Sequence, residues 1–513
     1  MAQTRDTDAA SRQRRSRSSL TEDDLRLHEL GYPRQLARRV NAFGNLAMSA
    51  TIINFITGIM YSTALVMASG GPRVMVWGWV LVGLMVLFVG ASMAEINSAL
   101  PTSGALYYWS AKLAKRHNAA WSWYTGWLNF AGQIAGTASA DFGAATFIQA
   151  LATAQWSSYR PTTKGTLAIY AAVLAVHGLL NTFTVRLVAF LNKVAVWWLL
   201  IGTMVIVGWL AVFPSHHTSA SFAFTHFVNS TGFHSGIYAG LIGLLFSAGT
   251  FTGFDASAHM SEETVHASVS APKGMVRSIA FSWIVGLILI IAMTFSMTDY
   301  SNQAGAPVPP LVIFTGALGL TTAKLFMLVV IGSMLFCGLA NLTSNSRQIF
   351  AFSRDGAMPG SKWWRTVRNG TPVNAVWFAA VGAFVLAVPS LWSTTAFPAI
   401  VSINVIGLFG SYGIAIWLWL RRRGDFERGP WNLGRFSVPV ARVAITWVVF
   451  SSILFLLPQV SPITAKTFNY APVALGVVLV VAGLWWVITA RRSFQGPISY
   501  GTPEELAQIE AEL

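Results

Sequence analysis

Charge is scarce in this chain of 513 residues: charged residues make up 10% of it and apolar residues 54%. Soluble domains carry about 25% charged residues, so this composition excludes an ordinary soluble protein. Cys337 is the single cysteine, which excludes an intramolecular disulfide. A phosphate-binding Gly-Lys-Ser loop, a nucleophile elbow and paired metal-ligand spacings are also missing from the sequence. These absences argue against ATP hydrolysis, other catalysis, a metal site and a cofactor.

Long apolar runs dominate what is present. Runs of roughly 18 or more apolar residues recur along the whole chain and are the signature of transmembrane helices. We predict an all-α integral membrane protein with twelve transmembrane helices, numbered as segments 1 to 12. Their approximate bounds are 43–67, 74–100, 121–152, 166–183, 187–213, 236–260, 277–298, 322–348, 373–391, 396–420, 438–458 and 470–490.

Basic residues are distributed unevenly among the loops. The formal net charge is +15, and few of the 34 Lys and Arg residues lie in the loops that we place outside. Those few are Arg73, Arg160, Lys164 and Lys466, with Lys324 at a helix edge. Because basic residues concentrate in cytoplasmic loops, both termini are predicted to face the cytoplasm from a plasma (inner) membrane. The same asymmetry explains the charge, so the lipid bilayer is an expected partner and nucleic acid is not.

Residues 1–42 and 491–513 are predicted to be the two cytoplasmic tails. The Arg-rich stretch from Arg12 to Arg17 is followed by acidic residues and no apolar run, so it is not a signal peptide. A disordered tail and a contact with anionic lipid headgroups are the two interpretations of this stretch. Thr21 and Asp24 have capping-box spacing, which predicts a short helix through Leu30.

Two apolar segments carry matching interruptions. Segment 1 contains Thr57-Gly58 and segment 6 contains Thr252-Gly253, each near the middle of its run. Glycine weakens a helix by about 1 kcal/mol relative to alanine. Irregular backbone at membrane depth survives only where it is buried in protein or lines a cavity. Interruptions at corresponding places in two halves are the best sequence indication of a transporter's substrate site.

The segments divide into groups of five, five and two, which cover residues 43–213, 234–420 and 438–490. The interrupted segments are the first of each group of five. A repeat with an odd number of helices places its two copies in opposite orientations, which is the inverted-repeat plan of secondary transporters. A chance match is the alternative, because glycine is frequent in membrane helices.

Four stretches of sequence resemble the amino acid–polyamine–organocation superfamily, and within it the branch of 4-aminobutyrate and choline permeases. They are Ser92–Trp109, Gly126–Gln133, Gly253–Thr264 and Asn345–Pro359. The resemblance implies a leucine-transporter-like fold with segments 1 and 6 broken. It also implies that the substrate lies between these segments and segments 3, 8 and 10. Members of the superfamily move amino acids or related amines, usually driven by protons or by exchange.

Segment 1 departs from the family pattern at one position. Many relatives have a Gly-Ser-Gly type of turn there, whereas this chain has Ile56 in place of a small residue. Fewer backbone N–H groups are then expected to be reachable by a carboxylate, which weakens the inference of an α-carboxylate site.

The chemistry of two broken helices favours a zwitterionic substrate. The free N–H groups at the start of a half-helix attract a carboxylate, and exposed carbonyls at the end of another attract an ammonium. We place Thr57 and Gly58 on the carboxylate and the backbone of residues 249–253 on the amine. Phe251 or Phe254 is the predicted aromatic gate. The full candidate set is Phe55, Ile56, Thr57, Gly58, Gly249, Thr250, Phe251, Gly253 and Phe254.

Ionisable residues within apolar segments are candidates for ion coupling. Asp141 in segment 3 and Asp255 after the second interruption could bind an ammonium or carry a proton. The alternatives are an interhelical hydrogen bond for Asp141 and an N-cap for Asp255. In proton-coupled relatives a lysine of segment 5 takes the place of a bound cation, which makes Lys193 a further candidate. Snorkelling to the membrane surface is its alternative.

Three other groups complete the candidate set. Thr343 and Ser344 of segment 8 could coordinate sodium, the alternative coupling ion. Glu95 of segment 2 is predicted to be a gate or structural latch that pairs with a base such as Arg354. A structural role is the interpretation for His177 and His259, although histidine titrates near physiological pH.

Together these features predict a secondary permease for a small amino acid or 4-aminobutyrate, coupled to protons. A substrate–product exchanger and a choline or polyamine permease are the alternatives within the same class. A channel or a nutrient sensor on the same fold is the alternative from another class.

Overall fold

The computed structural model describes residues 21–506 apart from 37, 184, 369, 394, 499–500 and 503–504. The Arg-rich stretch of the N-terminal tail and the last seven residues, 507–513, lie outside the described part of the chain. The described part is helical, with isolated β-bridges and no strand. The predicted capping box is confirmed: Thr21 and Asp24 open a helix that spans Glu22–Glu29.

Helices lie at all twelve predicted segments. Their bounds, in order, are Ala42–Ile53 with Phe55–Ala68, Gly71–Ala99, Asn118–Gln155, Thr163–Phe183, Val185–Val212, Gly236–Thr250 with Ala256–His259, Ala267–Phe295, Leu320–Arg354, Val373–Ala387, Ala396–Arg422, Ser437–Leu456 and Ala471–Trp485. Within the described residues, ten helices are long and apolar enough to cross a membrane. Segments 3 and 6 are not among these ten, so the count of twelve spans and the inverted repeat stay predictions.

Segment 3 is the central helix of the bundle. It packs along segments 8 and 10, while segment 2 packs along segment 7. The approach of segments 3 and 10 is close enough to require glycine, since a Cβ atom on Gly407 would lie 2.7 Å from the backbone nitrogen of Gly132. Segment 3 therefore brings its polar side chains near those of segments 8 and 10.

The peripheral helices present apolar side chains outward. In segment 12 only 11% of the most apolar window is buried within the protein. Large apolar side chains are exposed along segments 5 and 12, among them Phe190, Trp197, Val480 and Ile488. Such a continuous apolar surface requires a lipid environment. The chain is accordingly a multi-pass membrane protein.

Charged side chains gather at one end of the bundle, which we call the basic end and define by Glu262, Glu263, Arg347 and Arg354. Arg354 donates to both oxygens of Glu262 at 3.1 Å, and Arg347 Nε lies 3.0 Å from Glu263 Oε1. All four residues are less than a tenth exposed. These two ion pairs link segment 8 to the loop after segment 6 at this end of the bundle.

Both tails also reach this end, where they meet at Asp355. The hydroxyls of Tyr32 and Tyr107 each donate to Asp355 Oδ2 at 2.9 Å, and the backbone N–H of Ile498 donates to the same carboxylate. Burial raises the pKa of Asp355 to about 6. The two tails therefore lie at the same end of the bundle; that this end is cytoplasmic stays a prediction.

Candidate functional site

Segment 1 is broken at a single residue. Asn54 has φ of 35° and ψ of 74°, a left-handed conformation that separates the two half-helices. Its Oδ1 accepts from the backbone N–H of Thr57 at 3.1 Å, and its Nδ2 donates to the backbone oxygen of Ser333 at 2.8 Å. Asparagine tolerates this conformation better than most residues, and here its amide also caps the second half-helix.

This cap changes which group of segment 1 is available to a carboxylate. The N–H of Thr57 bonds to Asn54 Oδ1, and the N–H of Gly58 bonds to the carbonyl of Asn54 at 3.0 Å. The hydroxyl of Thr57, by contrast, is buried and has no hydrogen-bond partner. A hydroxyl donor from Thr57 therefore replaces the backbone donors expected at this position.

Segment 6 is broken over several residues. Its helix ends at Thr250, and a short helix resumes at Ala256–His259. Between them Gly253 has φ of 80°, and a Cβ atom there would collide with the side chain of Ile52. Glycine is thus required at position 253 for both its backbone conformation and its contact with segment 1.

The two breaks pack directly against each other. The side chain of Thr250 lies where a Cβ atom of Gly58 would stand. Thr57, Gly58, Gly249, Thr250 and Gly253 line one cavity together. The structure therefore brings together five of the nine substrate-site candidates predicted from sequence.

The other four candidates are buried outside this cavity. Each of their three aromatic rings packs on another aromatic side chain: Phe55 on Phe281, Phe251 on Trp79 and Phe254 on Tyr412. Ile56 is fully buried in the apolar core. In this conformation neither Phe251 nor Phe254 stands over the cavity as the predicted gate. Tyr61, which sequence analysis did not select, lines the cavity instead.

The cavity lies between segments 1, 3, 6, 8 and 10, the arrangement that the resemblance implies. Its volume is about 20 Å³, which is room for about one water molecule. An amino acid does not fit in this space. The remaining lining residues are Ile52, Ile53, Tyr61, Gly136, Ser139, Ala140, Thr252, Cys337, Asn341, Asn404 and Leu408.

Two amide oxygens converge on one wall of the cavity. Oδ1 of Asn404 and Oδ1 of Asn341 would lie 3.0 and 3.1 Å from a Cβ atom on Gly136. Both amide nitrogens are already engaged, since Asn404 Nδ2 donates to Thr252 Oγ1 at 3.3 Å and Asn341 Nδ2 donates to the carbonyl of Cys337 at 3.0 Å. Asn404 Oδ1 has no hydrogen-bond partner. The two amides therefore present their oxygens as acceptors, which suits an ammonium group.

Sequence analysis missed both asparagines. They are uncharged, so they do not stand out as ionisable residues do. An amide in the apolar segments 8 and 10 was a usable signal, because a buried polar group needs a partner.

Asp255 is fully buried beside the break of segment 6. Its carboxylate accepts from Tyr412 at 2.7 Å, from Asn129 Nδ2 at 3.1 Å and from Gln133 Nε2 at 3.2 Å. His259 Nε2 lies 3.3 Å from Asp255 Oδ2. The side chain makes no capping hydrogen bond, so the N-cap interpretation of Asp255 is wrong.

Asp141 is also fully buried, between segments 3, 4 and 8. His177 Nδ1 lies 3.1 Å from Asp141 Oδ2, while Oδ1 has no hydrogen-bond partner. Oδ1 stands directly against Gly338, where a Cβ atom would collide with it. Gly338 adjoins Cys337, which lines the cavity. The structure therefore places Asp141 one layer behind the cavity wall.

Lys193 lies away from the cavity, with an exposed side chain. Its Cε would be 4.0 Å from a Cβ atom on Gly44, near the start of segment 1. An exposed ammonium lacks the desolvation on which its predicted coupling role depends. Of the sodium candidates, Thr343 donates to Asn181 Oδ1 at 2.7 Å, and the hydroxyl of Ser344 is buried without a partner.

Glu95 is buried, but its predicted partner is wrong. It accepts from the hydroxyl of Ser437 at 2.9 Å and lies 3.9 Å from Arg428 Nε. Arg354 bonds to Glu262 instead. Glu95 thus links segment 2 to segment 11, and the ion pair at the basic end involves a glutamate of the loop after segment 6.

Known proteins are similar to this chain over almost its whole length. A family model described as "Amino acid permease" matches residues 42–481, which include all five cavity-lining segments. Amino-acid permease BAT1 of Arabidopsis thaliana is 40% identical, with 93% of this chain and 96% of that protein aligned. Its homolog from Oryza sativa is 40% identical over 92% and 95% of the two chains. An uncharacterised amino-acid permease of Schizosaccharomyces pombe is 33% identical over 93% and 90%.

Proposed function

Because the chain belongs to the amino acid permease family, we propose that it is a secondary active permease for a small amino acid or 4-aminobutyrate. It moves the substrate by alternating access and is driven by protons. Membership of this family indicates a membrane transporter rather than an enzyme. Our proposal concerns the substrate, the coupling ion and the transport cycle.

The cavity between the two breaks is the observation that carries this proposal. Its lining includes Thr57, whose unpartnered hydroxyl is a donor for a carboxylate. It also includes Asn341 and Asn404, whose oxygens are acceptors for an ammonium. Buried polar atoms without partners are costly, so a ligand that supplies both kinds of partner is favoured. A zwitterion does so.

The position of the acceptors also refines where the amine binds. The carbonyls of Gly249 and Thr250 already accept from Thr252, whose hydroxyl lies 3.4 Å from the first and whose N–H lies 2.9 Å from the second. We therefore move the amine from the 249–253 backbone to the two asparagine oxygens. Choline has no N–H to donate and no carboxylate, so this site fits it less well than a zwitterion.

Alternating access requires the cavity to widen and to open toward each side in turn. The ion pairs of Glu262 with Arg354 and of Glu263 with Arg347 link segment 8 to the loop after segment 6 at the basic end. The break at Asn54 and the break around Gly253 are the points at which segments 1 and 6 bend. Movement of the half-helices that carry the basic end would separate these ion pairs and open the cavity there.

Uptake into proteoliposomes tests the proposal. The labelled panel is alanine, 4-aminobutyrate, choline and putrescine, each under an imposed proton gradient and again under a sodium gradient. We expect proton-driven accumulation of a zwitterion. Uptake only into vesicles preloaded with substrate indicates an exchanger, equilibration without accumulation a channel, and binding without uptake a sensor. Transport of choline or putrescine alone contradicts the zwitterion site.

Asn404→Leu tests the site itself. Hydrogen bonds to a charged group are worth about 1.5–3 kcal/mol, so its loss should raise KM by at least about tenfold. Asn374→Leu is the matched control, since this asparagine of segment 9 makes one hydrogen bond, to the carbonyl of Trp363, and is not among the cavity-lining residues. Equal KM values in the two variants would remove Asn404 from the site.

A further inference from the structure

His259 makes two contacts that together require an extra proton. Its Nδ1 lies 3.0 Å from the carbonyl oxygen of Ser103, and its Nε2 lies 3.3 Å from Asp255 Oδ2. A carbonyl oxygen only accepts, so Nδ1 must carry the hydrogen. In a neutral imidazole Nε2 is then a lone pair that faces a carboxylate oxygen. Nε2 makes no hydrogen bond, so the contact is purely electrostatic, and it is attractive only when Nε2 carries a second proton.

Among the described residues, the side chains that donate hydrogen bonds to Asp255 are all neutral. Segment 3 contributes the neutral amides of Asn129 and Gln133, and segment 10 contributes the neutral hydroxyl of Tyr412. Both Asp255 and His259 are 0% exposed. With the second proton the pair is neutral overall, and without it a full negative charge stays buried.

The pair is connected to the ion pairs of the basic end through one residue. The carbonyl of Ser103 accepts from His259, and the backbone N–H of Ser103 donates to Glu262 Oε1 at 2.9 Å. Glu262 is the residue that Arg354 holds with two hydrogen bonds. Asp255 itself follows Gly253 at the break of segment 6. The pair therefore lies next to the cavity-lining break of segment 6 and is one residue away from the Glu262–Arg354 ion pair.

We propose that Asp255 and His259 together bind the proton that is coupled to transport. The proposal rests on the proton-driven function proposed above and identifies the site of that proton. Loss of the proton leaves a lone pair against the carboxylate of Asp255. It also turns the donor to the Ser103 carbonyl from an imidazolium into a neutral imidazole, which weakens the hydrogen bond that holds segment 6 to Ser103. By linkage, a conformation in which His259 leaves the Ser103 carbonyl favours release of the proton. Proton release is thereby tied to opening on one side.

His259→Gln in proteoliposomes tests this assignment with two measurements. One is substrate exchange at equal pH on both sides, which needs the substrate site but no net proton movement. The other is gradient-driven accumulation, followed together with proton influx by an entrapped pH dye. We expect exchange to stay within a few-fold of wild type, while accumulation and proton influx fall by at least about tenfold.

His177→Gln is the matched control, because it changes the other buried histidine that contacts an aspartate. Its accumulation and proton influx should match wild type. Proton influx preserved in His259→Gln overturns the inference alone. A wild-type protein that accumulates substrate without proton influx overturns both the inference and the proposed coupling.

A double variant covers the case in which His259→Gln fails to fold. Asp255→Asn with His259→Gln replaces the pair by two amides, which can hydrogen-bond to each other with no shared proton. We expect this protein to exchange substrate and to show no proton-driven accumulation. Accumulation that persists in the double variant rejects the pair as the proton site.

Discussion

Two buried Asp–His pairs in the same bundle differ in their surroundings and therefore in their chemistry. Asp255 and His259 are 3.3 Å apart, and Asp141 and His177 are 3.1 Å apart. His259 gives its other ring nitrogen to a carbonyl, so the contact with Asp255 needs a second proton. His177 meets Asp141 through Nδ1, which a neutral imidazole with its hydrogen on Nδ1 satisfies alone. The partner of the second nitrogen, and not the residue types, decides which pair requires the extra proton.

The carboxylates of the two pairs are also unequally satisfied. Asp255 accepts hydrogen bonds from three neutral side chains of segments 3 and 10. Asp141 Oδ1 has no partner. A charge surrounded by oriented donors is stabilised in place, whereas an unpartnered oxygen is not. This difference makes the Asp255 carboxylate the better-stabilised anion of the two sequence candidates, so the extra proton of that pair belongs on His259.

Replacing each aspartate by alanine should show the largest difference between the two pairs, measured as loss of stability. Asp255→Ala leaves Tyr412 and two amides without their acceptor and His259 without its ionic partner, and loss of one partner of a buried ionic pair costs about 3–5 kcal/mol. Asp141→Ala removes an acceptor from one histidine and should cost about 1–3 kcal/mol. Thermal unfolding of the two proteins in detergent measures the difference. Equal losses would show that the donors around Asp255 do not stabilise it.

Gly338→Ala should affect only the Asp141 pair. The added methyl group collides with Asp141 Oδ1, and overpacking of a dense interior costs about 1–3 kcal/mol. The double variant with Asp141→Ser should recover much of this loss, because the shorter side chain leaves room for the methyl group. A double-mutant cycle on unfolding temperature measures the coupling. Additive losses would mean that the two residues do not contact each other.

The sequence predicted some of these features and not others, for physical reasons. The break in segment 6 was predictable because glycine beside threonine inside an apolar run weakens a helix locally. In segment 1 the same pair, Thr57-Gly58, lies inside the helix Phe55–Ala68, and the break is three residues earlier, at Asn54. The asparagine oxygens at Gly136 were not predictable, because their convergence depends on how segments 3, 8 and 10 face each other. The partner of Arg354 was mistaken for the same reason, since Glu95 and Glu262 are both acidic residues near one end of the bundle. Pairing across helices is set by packing that one sequence does not display.

Asp355 provides a third buried carboxylate, one held by two tyrosines and a backbone N–H. Its pKa is raised by burial from 3.8 to about 6. The folded protein then holds its proton more tightly than the unfolded chain, so this group's contribution to stability is complete below about pH 4 and is lost as pH rises through about 6. Asp355→Asn should flatten the dependence of unfolding temperature on pH between about 4 and 6. An unchanged slope would contradict the raised pKa.

Lys193→Ala should have the smallest effect. It tests whether the coupling proton is bound by Lys193 or by the Asp255–His259 pair. An exposed side chain far from the cavity contributes within about 0.5 kcal/mol to stability. We expect proton influx and accumulation in proteoliposomes to match wild type, because the ammonium of Lys193 is exposed and the Asp255–His259 pair is intact. Arg160→Ala, which removes an exposed base in the loop after segment 3, is the matched control for loss of positive charge. If Lys193→Ala alone abolished proton influx, segment 5 would carry the coupling proton and the Asp255–His259 pair would be structural.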